Sequence, residues 1–98
     1  MMGDSTLYVH LLRMFRDREL HFAERFRASR ARGDAAAAMR MAHDLKSVTG
    51  SLAVLSVHPA ASALERACLD GVDDARLETL LEDVDRLLVP VLLELKTL

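Results

Sequence analysis

Apolar residues recur along this chain at alternating spacings of three and four, the pattern of helices that each bury one face. Leu7, Leu11, Leu12 and Phe15 mark a short first helix that Asp4 or Ser5 can cap. A second pattern spans roughly Arg16 to Arg32. Phe22 and Phe26, four apart, are its main apolar contribution, and its Arg and Glu residues read as a solvated face. Gly33-Asp34 is a stop followed by a start: the glycine takes a left-handed position ending one helix, and the aspartate accepts from free N–H groups of the next. The third helix then runs from Asp34 to about Ala53, with alanines at 35 to 38 raising its intrinsic propensity. Its apolar seam is Ala38, Met41, Leu45, Val48 and Leu52.

Ser56 is the expected cap of a fourth helix, with Pro59 in its first turn, where a missing N–H is harmless. Its seam is Val57, Ala61, Leu64 and Cys68, with Glu65 beside it near the helix edge, and Gly71 ends it. Asp73 caps the last helix, where Leu77, Leu80, Leu81, Val84, Leu87, Leu88, Val91, Leu92 and Leu95 keep a heptad-like seam. Pro90 interrupts it and, lacking an N–H, should kink or divide the helix. His10 and His21 read as ordinary surface or boundary histidines, and His58, before Pro59 at the helix entry, as a surface residue.

Amphipathic helices with short connections bury their faces together only by packing on one another. The expected fold is therefore all-α: residues 1–98 form one domain, an antiparallel four-helix bundle with an additional short N-terminal helix capping one end. Composition agrees. Half of the 98 residues are apolar yet only four are aromatic, and Gly (3, 33, 50, 71) and Pro (59, 90) are too few to punctuate an all-β chain.

Charge narrows the function classes. Residues 1–50 hold nine Lys/Arg against six Asp/Glu and residues 51–98 four against nine, but Asp17, Glu19 and Glu24 interleave the arginines, which argues against a nucleic-acid face. The single Cys68 excludes an internal disulfide and a Cys-based zinc site, and it reads as a small buried apolar residue. No apolar run approaches the roughly 18 residues of a membrane span, and no signal-peptide pattern opens the chain, so the expected setting is cytoplasmic, or the cytoplasmic part of something longer, with no membrane contact of its own.

The candidate chemistry sits in Ala42-His43-Asp44-Leu45-Lys46-Ser47-Val48-Thr49-Gly50. At about 100° per residue, His43 lies almost diametrically opposite the apolar seam of its helix. It shares a face with Ala36, Met39, Arg40, Lys46, Ser47 and Gly50, so a cation stands three residues to either side. Gly50 inside a helix costs about 1 kcal/mol relative to Ala, which suggests a need for close approach on that face. From spacing alone, a lone helical histidine is most simply a polar surface residue. A metal site within this helix is disfavoured, because Asp44 diverges from His43 by about 100° and no His or Cys stands three or four residues away.

The segment His43-Asp44-Leu45-Lys46-Ser47, preceded by Ala42 and followed by Gly50 and Leu52, resembles the phosphoacceptor motif of histidine-containing phosphotransfer (HPt) domains. Gly33-Asp34, Arg40, the Ala61, Leu64-Glu65 and Ala67 pattern, and Leu88-Val89-Pro90-Val91-Leu92 extend the resemblance over nearly the whole chain. It implies a phosphorelay intermediate: a phosphoryl group passes from a receiver-domain aspartate to Nε2 of His43 and on to another receiver aspartate. An imidazole suits this, being a good nucleophile near neutrality with an ordinary pKa of about 6.5. Glu65, matching a family position often held by Gln or Glu, would accept from Nδ1–H and orient the ring. Lys46 would offset phosphoryl charge, helped by Arg40.

The resemblance also implies a carrier, not an enzyme with its own ATP or metal site; the catalytic aspartates and Mg²⁺ come from the partner receiver. The partners would be response-regulator receiver domains, including those of hybrid histidine kinases, docking on a monomer at the face of Ala36, Met39, Arg40, Ser47 and Gly50. Two positions depart from the family: Ser47 and Ala53 stand where glycine is usual, and both remain small enough to keep access open. Two other readings stay open. One is the dimerising phosphoacceptor hairpin of a sensor kinase, whose motif His43-Asp44-Leu45-Lys46 also resembles; the other is a helical protein-interaction module without phosphotransfer.

Overall fold

A computed structural model describes residues 2–98, with side chains from position 5 onward. Five α-helices follow in order: α1 (Met2–Glu19), α2 (Phe22–Ala31), α3 (Ala35–Ser51), α4 (His58–Asp70) and α5 (Asp74–Glu94), closed by a 3-10 turn, Leu95–Thr97. No strand occurs among the described residues. α2 packs on α3 and α5, α3 on α4, and α4 on α5, so these four helices surround a common core. Phe22 and Phe26 of α2, Leu45 of α3, Leu64 of α4 and Leu81, Val84 and Leu88 of α5 fill it. The two phenylalanine rings lie 6.1 Å apart, one turn along the same face.

The local signals predicted from sequence are present at most helix ends. Asp34 Oδ1 accepts from the Ala37 N–H at 3.0 Å, and Asp73 Oδ1 from the Arg76 N–H at 2.8 Å. Gly33 and Gly71 stop α2 and α4 with φ of 79° and 68°. Ser56 is not a cap: the preceding residue of α4 is Val57, and the turn is closed by Val57 and His58 N–H groups donating to the Val54 carbonyl. α5 is not divided at Pro90, which lies exposed inside one continuous helix. Cys68 is half-buried, not fully buried, and burial pushes its thiol pKa up.

The N-terminal region departs most from expectation. α1 is not short: it runs 18 residues, Asp4 and Ser5 lie inside it, and the break before α2 falls at Leu20–His21 instead of near Arg16. Its second half is held by tertiary contacts, of which the apolar pattern announced only the burial of Phe15. Phe15 is buried, and Arg16 donates through Nη1 to the carbonyls of Leu95 (3.0 Å) and Leu98 (3.2 Å). Nearer its start, the Tyr8 hydroxyl donates to the Leu52 carbonyl at the end of α3, 3.1 Å away.

α3 buries a different stripe from the one its strongest hydrophobes mark. Ala38, Ala42, Leu45, Thr49 and Leu52 are buried, while Met41 and Val48 are half-buried at the edge. At about 100° per residue the buried stripe is turned by about 40° from the predicted seam. Ala38, Ala42 and Thr49 on α3 and Ala61 on α4 are all small and buried, and small residues at a helix–helix contact let the two axes approach closely. The Thr49 hydroxyl is spent within its own helix, donating to the Leu45 carbonyl at 2.7 Å, so it can be buried without an orphaned donor.

Candidate functional site

That rotation corrects the expectation that His43 stands diametrically opposite the core. The histidine sits on the shoulder of α3 that leans toward α4, and its Nδ1 meets Oε2 of Glu65. The ring stays mostly in solvent, with 60 % of the side chain exposed, while the Glu65 side chain is 11 % exposed. Nε2 of His43 has no hydrogen-bond partner among the described residues. A carboxylate can only accept, so Nδ1 carries the proton and Nε2 presents its lone pair outward.

Lys46, one turn along α3, completes the cluster: its Nζ lies 3.0 Å from Oε1 of Glu65. Each carboxylate oxygen thus has its own donor, which compensates the burial of the charge. The His43 bond, then the Lys46 bond, hold the Glu65 carboxyl below its ordinary pKa of 4.5 against the opposing effect of desolvation.

The remaining sequence-predicted positions surround this cluster without joining it. Ala36, Arg40 and Ser47 are exposed and Met39 is half-buried. Arg40 lines a cleft with Arg25, Arg32 and Met41, and the hydrogen bonds and ion pairs of Glu65 go to His43 and Lys46 instead of to it. Ser47 lines a groove between α1 and α3, about 610 Å³ in volume, walled by Leu11, Met14, Val48 and Leu52. Asp44 points away from His43, with Oδ2 3.6 Å from Nη2 of Arg18. His10 and His21 are exposed, as expected. Among the described residues, no three His, Cys, Asp or Glu side chains converge as metal ligands.

Gly50 has a different reason from the open face expected for it. A Cβ there would stand 3.1 Å from Cε1 of His58, so the closeness it permits is to α4. His58 is accordingly not a surface residue: it is half-buried, with Nδ1 2.9 Å from the Lys46 carbonyl oxygen. Ala53 has φ of 57°, a left-handed conformation that strains an alanine Cβ and that glycine, usual at this position, adopts freely. It occupies the left-handed position after the end of α3, where the Ala53 N–H donates to Gly50 O (3.3 Å) and the Val54 N–H to Thr49 O (2.9 Å). Sequence reasoning also missed Glu19, the last residue of α1, which is 5 % exposed and whose pKa burial pushes up. Its spacing of four from Phe15 was the available signal.

Fold and site together define an all-helical domain whose distinctive chemistry is one outward-facing imidazole, buttressed from below by a buried carboxylate. A family model for the Hpt domain matches residues 10–96, and the chain belongs to that family. Hpt domains are phosphotransfer carriers of two-component signalling and exchange the group with receiver domains of response regulators. No curated protein and no solved structure matches the chain. No helix among the described residues is long and apolar enough to cross a membrane.

Proposed function

We propose that this domain is a phosphorelay intermediate in which His43 is the phosphoacceptor, working as a monomer in the cytoplasm on an antiparallel α2–α5 scaffold. The observation that carries the reading is the pairing of His43 Nδ1 with the buried Glu65 carboxylate, which leaves Nε2 outward. In the transfer step the Nε2 lone pair attacks phosphorus of a receiver's aspartyl phosphate. An N–P bond forms, the P–O bond to the aspartate breaks, and the carboxylate leaves with the electron pair. The ring gains positive charge as it reacts, and Glu65 stabilises that charge while holding the Nδ1 proton in place. Lys46, 39 % exposed beside the ring, offsets charge on the phosphoryl oxygens. A carboxylate of a second receiver reverses the step. The receiver brings the aspartates and Mg²⁺, so each partner holds half of the reacting centre.

Docking would use the face of Ala36, Met39, Arg40, Ser47 and the exposed edge of Gly50, continuing onto the apolar α1–α3 groove that Ser47 borders. The sensor-kinase alternative requires a two-helix hairpin completed by a second chain, whereas here four helices bury their faces on one another within a single chain. Incubation with phosphorylated receivers tests the proposal. Acid-labile, alkali-stable label is expected on the wild-type protein and absent from His43→Gln; equal labelling of that variant refutes the assignment.

A further inference from the structure

Two links between α3 and α4 converge on one residue. Lys46 Nζ reaches Glu65 Oε1 at 3.0 Å, and the Lys46 carbonyl oxygen lies 2.9 Å from Nδ1 of His58. A carbonyl only accepts, so His58 donates through Nδ1–H, with the Thr49 hydroxyl oxygen 3.3 Å from the same nitrogen. A carbonyl inside a helix accepts from the N–H four residues on and keeps a second lone pair; the Lys46 oxygen also lies 3.1 Å from the Thr49 hydroxyl, whose shorter bond, 2.7 Å, goes to the Leu45 carbonyl. Four residues after Lys46 stands Gly50, without a side chain. The His58 ring occupies the space this leaves: a Cβ on Gly50 would lie 3.1 Å from Cε1 and 3.4 Å from Nδ1.

His58 and Glu65 are seven residues apart on α4, two turns and about 10.5 Å along one face. On α3 the residues they engage, Lys46 and His43, are three apart, and the links run in opposite order along the two helices. We infer that His58 is a positioning residue for the His43 centre. Its bond to the Lys46 carbonyl fixes the slide and rotation of α4 against α3, and so keeps the Glu65 carboxylate under Nδ1 of His43. Glu65 lies beside the buried Leu64 and one turn from the buried Ala61, and apolar contacts are non-directional, so they do not by themselves fix where the carboxylate points. The directional bond at His58 supplies that constraint. This inference rests on the phosphotransfer reading for its kinetic consequence but not for its structural one.

Two variants separate the bond from the packing. His58→Phe keeps a ring over Gly50 and removes the donor; His58→Asn places an amide N–H where Nδ1–H was and removes the ring. Nitrogen-15 NMR of the free domain reads which ring nitrogen of His43 carries the proton. The Phe variant is expected to lose the Nδ1–H preference of His43 at unchanged helicity, and the Asn variant to retain it. In single-turnover transfer from a phosphorylated receiver, the loss of one hydrogen bond in the Phe variant lowers the rate at saturating receiver by about three- to tenfold, with the half-saturating receiver concentration unchanged. Wild-type His43 nitrogen shifts in the Phe variant overturn the inference, as does an Asn variant no better than Phe. Unfolding of the Phe variant beside a native Asn variant also overturns it, because the bond would then serve the fold as a whole. If the wild-type domain exchanges no phosphoryl group with any receiver, the phosphotransfer reading falls, while the NMR comparison still decides the role of His58.

Discussion

Replacing Glu65 by alanine should slow transfer far more than it weakens the fold. On the stability side the variant loses two charge-assisted bonds, but their partners are 60 % and 39 % exposed, so each counts as a surface pair of about 0.2–1 kcal/mol. Against that, alanine removes a buried charge and gains a few tenths of a kcal/mol, roughly, in helix propensity. The net cost is about 1 kcal/mol or less. In the transition state the ring carries new positive charge in contact with the carboxylate. At a few ångströms, between the effective dielectrics of water and a protein surface, that attraction is about 1–3 kcal/mol. A loss of that size slows transfer about ten- to a hundredfold. Glu65→Gln keeps an oxygen to accept from Nδ1–H and loses the charge, so it should fall between the two, nearer alanine. The measurement is single-turnover transfer from a phosphorylated receiver, beside chemical denaturation of each variant. Acid adds a signature: the depressed Glu65 pKa contributes stability that is present above pH 4.5 and lost as pH falls through the lowered value, and Glu65→Ala lacks that component. Wild-type transfer by a folded Glu65→Ala protein would refute the reasoning.

Two further predictions concern strain outside the His43 cluster. Glu19 is buried with its nearest cation, Arg18 Nε, 3.8 Å away, and its pKa is raised above 4.5. Its charged form therefore costs stability, which is lost as pH rises through the raised pKa. Glu19→Gln should raise Tm at pH 7, the gain vanishing below about pH 4, and equal melting at pH 7 would contradict it. Ala53 holds φ of 57°, so Ala53→Gly should stabilise by about 1 kcal/mol, about 4–8 °C in Tm for a domain of this size, without changing transfer. No gain in denaturant titration would show the turn to be unstrained.

Helix number, the capping aspartates Asp34 and Asp73, the stops at Gly33 and Gly71 and the long seam of α5 were legible from sequence, because each depends on residues within a turn or two. The candidate trio His43, Lys46 and Glu65 was also nameable, through a resemblance that spans the chain. What the sequence could not supply was the rotation of α3. Met41 and Val48 outweigh Ala42 and Thr49 in hydrophobicity, so a single-helix pattern puts the seam on them. The tertiary structure chose the small residues, since close packing of α3 on α4 rewards shape on both helices at once. That choice decided the site: it turned His43 toward Glu65, made Gly50 a seat for His58, and set Lys46 between them. Local periodicity determined that helices form and where they stop. Only their mutual packing, a property of pairs of faces, decided which side chains meet.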